Sequence, residues 1–282
     1  MNISLEDTVS DIIAKAQRGL GHSDSALVEK AGVTAGDLRA AKSGGTPDVA
    51  ILSKLADALG LDAPALVAAA RADYQPETPA TPATFAHFNA PFGGDMTVNS
   101  YLVWDRPGGV AVAFDAGTNA RPMREALEKN RLRLAAVFLT HTHTDHVEAL
   151  ERILAGLPET PPVYVSQRES YPGAKEIFDS AGFGFDGLQI EARSTRGHSP
   201  GGTTFVVTIA GCEPAPAFAI VGDALFAGSQ GGVDQAGYAE AIRLNRENIL
   251  SLPDATIICP GHGPLTTVGG EKAHNPFYAQ SA

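Results

Sequence analysis

From residue 85 onward, short apolar runs alternate with turns, and a few longer stretches carry apolar residues at helical spacing. Short runs rich in Val, Ile and Phe, bounded by turn residues, are typical of β-strands. They predict strands over 97–104, 110–115, 135–140, 162–166, 203–209, 217–221 and 256–259. The helical spacing predicts helices over 121–129, 147–155 and 239–250. This mixture predicts an α+β fold for the larger part of the chain.

Residues 1–72 have a different pattern. They contain no aromatic residue and consist of short helical stretches rich in Ala, Leu, Asp and Lys. The following segment, 73–84, reads DYQPETPATPAT, and its prolines and threonines are typical of an extended linker. We therefore predict a helical domain over 1–72, a linker over 73–84 and a larger domain over 85–282.

The composition excludes several classes of protein. The 282 residues are 44% hydrophobic and 19% charged, which suits a packed core, and the formal net charge of −11 argues against a general nucleic-acid binder. Two cysteines, Cys212 and Cys259, are too few for a disulfide scaffold. The N-terminal residues lack the apolar region of a signal peptide, and no apolar run could span a bilayer. We expect a cytoplasmic protein without a membrane partner.

The strongest chemical signal is a cluster of metal-ligand residues directly after the apolar run LAAVFL. It consists of His141, His143, Asp145 and His146. Imidazole and carboxylate are the ligands that zinc, iron and manganese accept. His141 and His143 are two residues apart and point the same way at a strand end, while Asp145 and His146 lie in the turn that follows. One short segment can therefore supply ligands to two adjacent metal ions.

Three further residues of the same type follow predicted strands and have glycine neighbours. They are His198 in GHSPG, Asp223 in VGD and His262 in CPGHGP. Glycine allows the backbone to approach closely at such positions. Taken singly, each is more often a turn residue, so their weight comes from occurring together with the first cluster.

The series H-x-H-x-D-H, G-H-S-P-G, G-D and P-G-H-G-P resembles the metallo-β-lactamase superfamily, and VGDALFAGSQGG resembles its glyoxalase II-like branch. The resemblance implies an αββα sandwich over about residues 85–282. It also implies two divalent metal ions. By this resemblance one ion is bound by His141, His143 and His198, the other by Asp145, His146 and His262, with Asp223 bridging them.

The implied activity is hydrolysis of a small-molecule thioester, ester or lactone, as in hydroxyacylglutathione hydrolases. A metal-bridging hydroxide would attack the carbonyl, with Asp145 and Asp223 as catalytic residues. We expect zinc first, with iron or manganese as alternatives. A second interpretation is a mononuclear iron dioxygenase acting on a persulfide, which would use His141 or His143 with His198 and Asp223.

Residues 25–44 of the N-terminal domain read as a helix, a turn and a second helix capped by Thr34. With the helix that follows, they resemble the Xre/Cro-repressor-like helix-turn-helix family over about residues 6–70. The second helix carries only two basic residues, Arg39 and Lys42, beside the acidic Asp37, whereas base readout prefers basic and amide side chains. Two uses remain open: a DNA-binding domain of a metabolite-responsive regulator, with Arg39 and Lys42 as contacts, or a fold retained for packing or dimerisation. We favour the second and expect a homodimer.

Overall fold

Helices alone form the N-terminal part of the chain. This computed structural model describes residues 3–43, 48–213 and 217–279. The helices are α1 (Val9–Gly19), α2 (Asp24–Ala31), α3 (Ala35–Lys42), α4 (Val49–Leu59) and α5 (Ala63–Ala70). Each begins at a Ser, Thr or Asp whose side chain accepts a hydrogen bond from a first-turn amide.

The turn between α2 and α3 forms as its sequence predicts. Gly32 ends α2 in the left-handed conformation, and Thr34 caps α3. Asp37 completes a capping box with Thr34, which explains an acidic residue in this helix. Arg39 is exposed, but Lys42 donates to Asp24 over 2.7 Å. The assignment to the repressor-like class and the DNA contacts of Arg39 and Lys42 stay predictions.

Two six-stranded sheets form the larger part of the molecule. The first contains, in spatial order, β1 (Phe85–Pro91), β2 (Thr97–Trp104), β3 (Val110–Phe114), β4 (Arg133–Phe138), β5 (Val163–Ser166) and β6 (Lys175–Ile177). The second has the spatial order β12 (Thr266–Thr267), β11 (Ile257–Pro260), β10 (Phe218–Gly222), β9 (Thr203–Ile209), β8 (Leu188–Ser194) and β7 (Gly182–Phe185). The helices that accompany them are α6 (Ala120–Lys129), α7 (Thr144–Val147), α8 (Leu150–Leu154), α9 (Tyr238–Asn248) and α10 (Val268–His274).

Three apolar clusters give the sandwich its layers. The central cluster lies between the sheets and contains Phe114, Phe138 and Phe218, all fully buried. A second cluster packs α6 and α8 on the outer face of the first sheet. Because side chains alternate along a strand, the neighbours of Phe218 and Ile220 in β10 belong to the third cluster, on the other face of the second sheet. These layers agree with the predicted sandwich.

The helical bundle α1–α5 packs on that other face of the second sheet. Its buried residues belong to the same apolar cluster as Val221 of β10 and Tyr238 of α9. Gly19 ends α1 directly against the Tyr238 ring, where a Cβ would lie 2.5 Å from Cγ. The Asp62 amide donates to the Pro276 carbonyl over 2.8 Å. The bundle and the sandwich therefore share one core.

One predicted helix is wrong in its bounds. The segment 147–155 forms two short helices, and the first begins earlier, inside the metal-ligand cluster. The loop after β3 causes the break: its Gly117 carbonyl accepts from the Ala149 amide over 2.9 Å, and its Ala116 amide donates to the His146 carbonyl over 2.7 Å. The backbone of the cluster is thereby held by the neighbouring strand's loop. No helix in the described part of the chain has the length and apolar character needed to cross a membrane.

Candidate metal centre

All seven candidate ligands lie at one edge of the sandwich, next to strand ends. His141 follows β4, His143 occupies the N-cap position of α7, and Asp145 and His146 lie in the single turn of that helix. The others occupy the loops after strands of the second sheet: His198 after β8, Asp223 after β10 and His262 after β11. Asp145 and His146 are thus helical rather than in a turn, and one helical turn points both into the centre.

The first group of ligand atoms contains three imidazoles and one carboxylate: His141, His143, His198 and Asp223. These atoms all lie within 4.8 Å of one another. Nδ1 of His143 is 3.0 Å from Nε2 of His141 and 3.1 Å from Nε2 of His198. Oδ2 of Asp223 is 3.4 Å from Nε2 of His198. This is a donor set suited to one divalent cation.

The second group contains Asp145, His146 and His262, whose ligand atoms also lie within 4.8 Å of one another. Nε2 of His262 is 3.2 Å from Oδ2 of Asp145. Asp223 contacts this group too, since its Oδ1 is 3.3 Å from Nε2 of His146 and its Oδ2 is 3.4 Å from Nε2 of His262. Asp223 therefore stands between the two groups.

Two polar atoms of this centre test the fit of a cation. Nε2 of His146 and Oδ1 of Asp223 are both buried and form no hydrogen bond within the described ranges. Buried polar atoms without partners are rare, because losing hydration without a replacement costs about 1–3 kcal/mol. A bound cation would satisfy both, so the residues present fit metal ions.

In three of the candidate ligand imidazoles, the Nδ1 atom, on the other side of the ring from Nε2, has a hydrogen-bond partner. Nδ1 of His146 lies 2.8 Å from Oδ2 of Asp115, Nδ1 of His198 lies 3.1 Å from the Gly232 carbonyl, and Nδ1 of His262 lies 2.6 Å from the Thr97 carbonyl. Since these acceptors require a proton on Nδ1, Nε2 is left free to bind a metal. Each ring is thus oriented before any ion binds.

Sequence reasoning missed the residues that support the ligands. Asp115 is buried, has a φ of 54°, and accepts from the Thr140 amide over 2.8 Å in addition to contacting His146. Asn99 is fully buried in β2 and donates to the carbonyls of Pro260 and Gly263, which flank the His262 turn. The signal was present, since each is a polar residue in or directly after a buried strand.

Two glycines beside Asp223 and His262 leave no room for a side chain. A Cβ on Gly222, which has a φ of 52°, would overlap Thr140, and a Cβ on Gly261 would overlap Asp223. Cys259, three residues before His262, is fully buried in β11, and burial raises the pKa of its thiol well above the usual range. It is a core residue.

The charges of the cluster are strongly coupled. Burial lowers the pKa of His146, but the carboxylates of Asp223 and Asp115 outweigh that effect and raise it to about 10. Burial likewise opposes protonation of His262, whose hydrogen bonds to Asp145 and Asp223 raise its pKa to about 11. Burial lowers the pKa of His141 well below its usual value. Without a cation, protons on two imidazoles balance the carboxylates, and a divalent ion would displace them.

The chain belongs to the metallo-beta-lactamase superfamily, whose sequence profile matches residues 93–262. That segment contains all seven candidate ligands, and the helices α1–α5 lie outside it. A hydroxyacylglutathione hydrolase of Haemophilus influenzae is 30% identical over 206 residues, which cover 64% of this chain and 92% of the relative. A probable metallo-hydrolase of Streptococcus pyogenes is 28% identical over 204 residues, covering 63% and 84%.

Solved structures agree with this assignment. A B3 metallo-beta-lactamase, BLEG-1, is 26% identical with a TM-score of 0.59, covering 70% of this chain and all of that one. A protein solved in a di-iron-bound form is 28% identical with a TM-score of 0.51, covering 67% of this chain and 99% of that one. Together with the His/Asp cluster, the relatives support a metal-dependent hydrolase.

Proposed function

We propose that this protein is a dinuclear metallohydrolase acting on the carbonyl of a thioester, ester or lactone. The observation that carries the proposal is the pair of ligand groups joined by Asp223. His141, His143 and His198 would hold one divalent ion, and Asp145, His146 and His262 the other. Zinc is the ion we expect first, because imidazole and carboxylate ligands suit it, with iron or manganese as alternatives.

When bound, two divalent ions lower the pKa of a water molecule and polarise the substrate carbonyl. The chain's own residues would orient the reactants. Oδ2 of Asp145, which lies 3.2 Å from Nε2 of His262, would accept a hydrogen bond from the attacking water and fix its direction. The His262–Asp145 contact lowers the pKa of Asp145 in spite of the opposing effect of burial, so this acceptor stays ionised.

The relatives point to a thioester as the first substrate class to test. The Haemophilus influenzae relative is a hydroxyacylglutathione hydrolase, and its similarity extends over 92% of its length. A screen should therefore contain glutathione thioesters, simple thioesters, activated esters and lactones.

The deciding experiment combines metal content with turnover. We expect about two metal equivalents per chain in protein purified without added metal or chelator, and hydrolysis of at least one thioester, ester or lactone. His141→Ala and Asp223→Ala should each abolish turnover and leave the far-ultraviolet circular dichroism unchanged. Arg71→Gln, at the exposed end of α5, is the control and should behave like the wild type.

Full activity of Asp223→Ala would contradict the dinuclear mechanism. A single equivalent of iron with no other metal would favour the persulfide dioxygenase, and oxygen uptake with a persulfide would then be the next measurement.

A further inference from the structure

The N-terminal bundle forms one wall of the cleft over the metal centre. A cavity of about 400 Å³ is lined by His198, Asp223 and His262 of the centre and also by Glu6, Lys15 and Arg18 of the N-terminal part. This volume lies within the usual range of small-molecule sites. A substrate whose carbonyl reaches the metal ligands through this cavity therefore meets side chains that lie outside the matched family segment.

The helix α1 is fixed on the loop that carries part of this wall. Nζ of Lys15 donates to the Gln230 carbonyl over 2.8 Å and lies 4.8 Å from the centroid of the Phe226 ring. Lys15 also pairs with Asp7, whose carboxylate accepts from the Ser229 hydroxyl. The positive charge of Lys15 is thereby neutralised and its position fixed, so it anchors the helix.

Arg18 lies one turn further along the same helix and has no such partner. Within residues 3–43, 48–213 and 217–279, its guanidinium forms no ion pair and no side-chain hydrogen bond. It lies over Gly232, where a Cβ would overlap Nη2. The carbonyl of Gly232 is in turn the partner of His198 Nδ1, at 3.1 Å. The exposed guanidinium of Arg18 therefore lies beside a residue whose carbonyl contacts a candidate metal ligand.

Besides Asp223, two carboxylates line the cavity and limit the charge that it accepts. Asp234 accepts from the Gly237 amide over 2.9 Å, and Glu6 is half-buried near His262. A polyanion would meet repulsion from both. A single carboxylate, by contrast, can pair with a guanidinium through two parallel hydrogen bonds.

We propose that Arg18 binds a carboxylate of the substrate, so that α1 supplies a specificity-determining residue to the metal centre. This inference rests on the proposed function, because it assumes that the reactive carbonyl of the substrate lies at the metal ligands. The substrate class is then a thioester, ester or lactone that carries one free carboxylate. The bundle acts as part of the substrate site.

The test uses the full chain loaded with zinc and two variants. Arg18→Gln removes the guanidinium, and Arg71→Gln removes an equal charge at the exposed end of α5, which does not line the cavity. The first readout is calorimetric binding of glutaramate, which carries a single carboxylate. The second is hydrolysis of two probes, the 4-nitrophenyl monoester of glutarate and the same compound with its carboxylate methylated.

We expect Arg18→Gln to weaken glutaramate binding and to raise KM for the monoester roughly 10- to 100-fold, the range for a hydrogen-bonded charge pair. The value of kcat and the turnover of the methylated probe should stay unchanged, and Arg71→Gln should match the wild type. Equal effects on both probes, or an unchanged affinity for glutaramate, would overturn the proposal. If neither ester is hydrolysed, the proposed function fails, while the binding measurement still decides the role of Arg18.

Discussion

Asp115 is the buried carboxylate on which the orientation of His146 depends. Replacing it with alanine removes the acceptor for His146 Nδ1 and for the amide and hydroxyl of Thr140. Partners of this kind typically contribute about 10- to 100-fold to metal affinity. We expect Asp115→Ala to weaken binding of the second zinc ion by that factor, measured by competition with a chelator.

Asp115→Asn is the matched control for this prediction. Asparagine tolerates the positive φ of this position better than alanine, and its one carbonyl oxygen can take the place of Oδ2 as the acceptor for His146, while the acceptor for the Thr140 amide is lost. It should retain most of the thermal stability and lose less zinc affinity than Asp115→Ala. Wild-type affinity in the alanine variant would show that His146 needs no carboxylate partner.

At the scale of single elements, the close approach of α1 to α9 depends on Gly19. A Cβ on Gly19 would overlap the buried ring of Tyr238, whereas a Cβ on Gly36 in α3 would have Thr34 Oγ1 at 3.5 Å as its nearest atom. We expect Gly19→Ala to lower the free energy of unfolding by about 1–3 kcal/mol, the usual effect of overpacking. Gly36→Ala should raise it by up to about 1 kcal/mol, because alanine favours the helix. Chemical denaturation measures both, and equal stabilities would contradict the assigned contact.

The sequence predicted best those elements whose signals are local. The strands at 97–104 and 203–209 have the expected bounds. The seven candidate ligands converge because four of them follow strands and three lie at the start of α7 or within it: His141, His198, Asp223 and His262 in the first set, and His143, Asp145 and His146 in the second. Five strands were not predicted. Three of them, β6, β7 and β12, are short and depend on pairing with distant partners, whereas β1 and β8 have seven residues each but no continuous apolar run. Arg18 could not be found either, because its place beside the centre depends on how the bundle docks.

For the whole molecule, the shared core has a consequence for unfolding. The bundle and the second sheet contribute to one apolar cluster, so neither can unfold without exposing apolar surface of the other to water. We expect a single cooperative transition in calorimetry. Fluorescence of Trp104, the only tryptophan, reports on β2 in the sandwich, and circular dichroism at 222 nm reports mainly on helices. The two signals should change together, and separate transitions would contradict a shared core.

Removing residues 1–72 tests the same core directly. All seven ligands follow residue 140, so the truncated chain keeps every candidate metal contact. It loses, however, the helices that pack on Val221, Val233 and Tyr238, and with them Arg18, which lines the cavity over the metal centre. Exposed apolar surface of this kind promotes association. We expect the truncated protein to bind a hydrophobic dye and to aggregate at a lower temperature than the full chain. A stable truncated protein with wild-type turnover of the glutarate monoester would show that the bundle contributes to neither the core nor the substrate site.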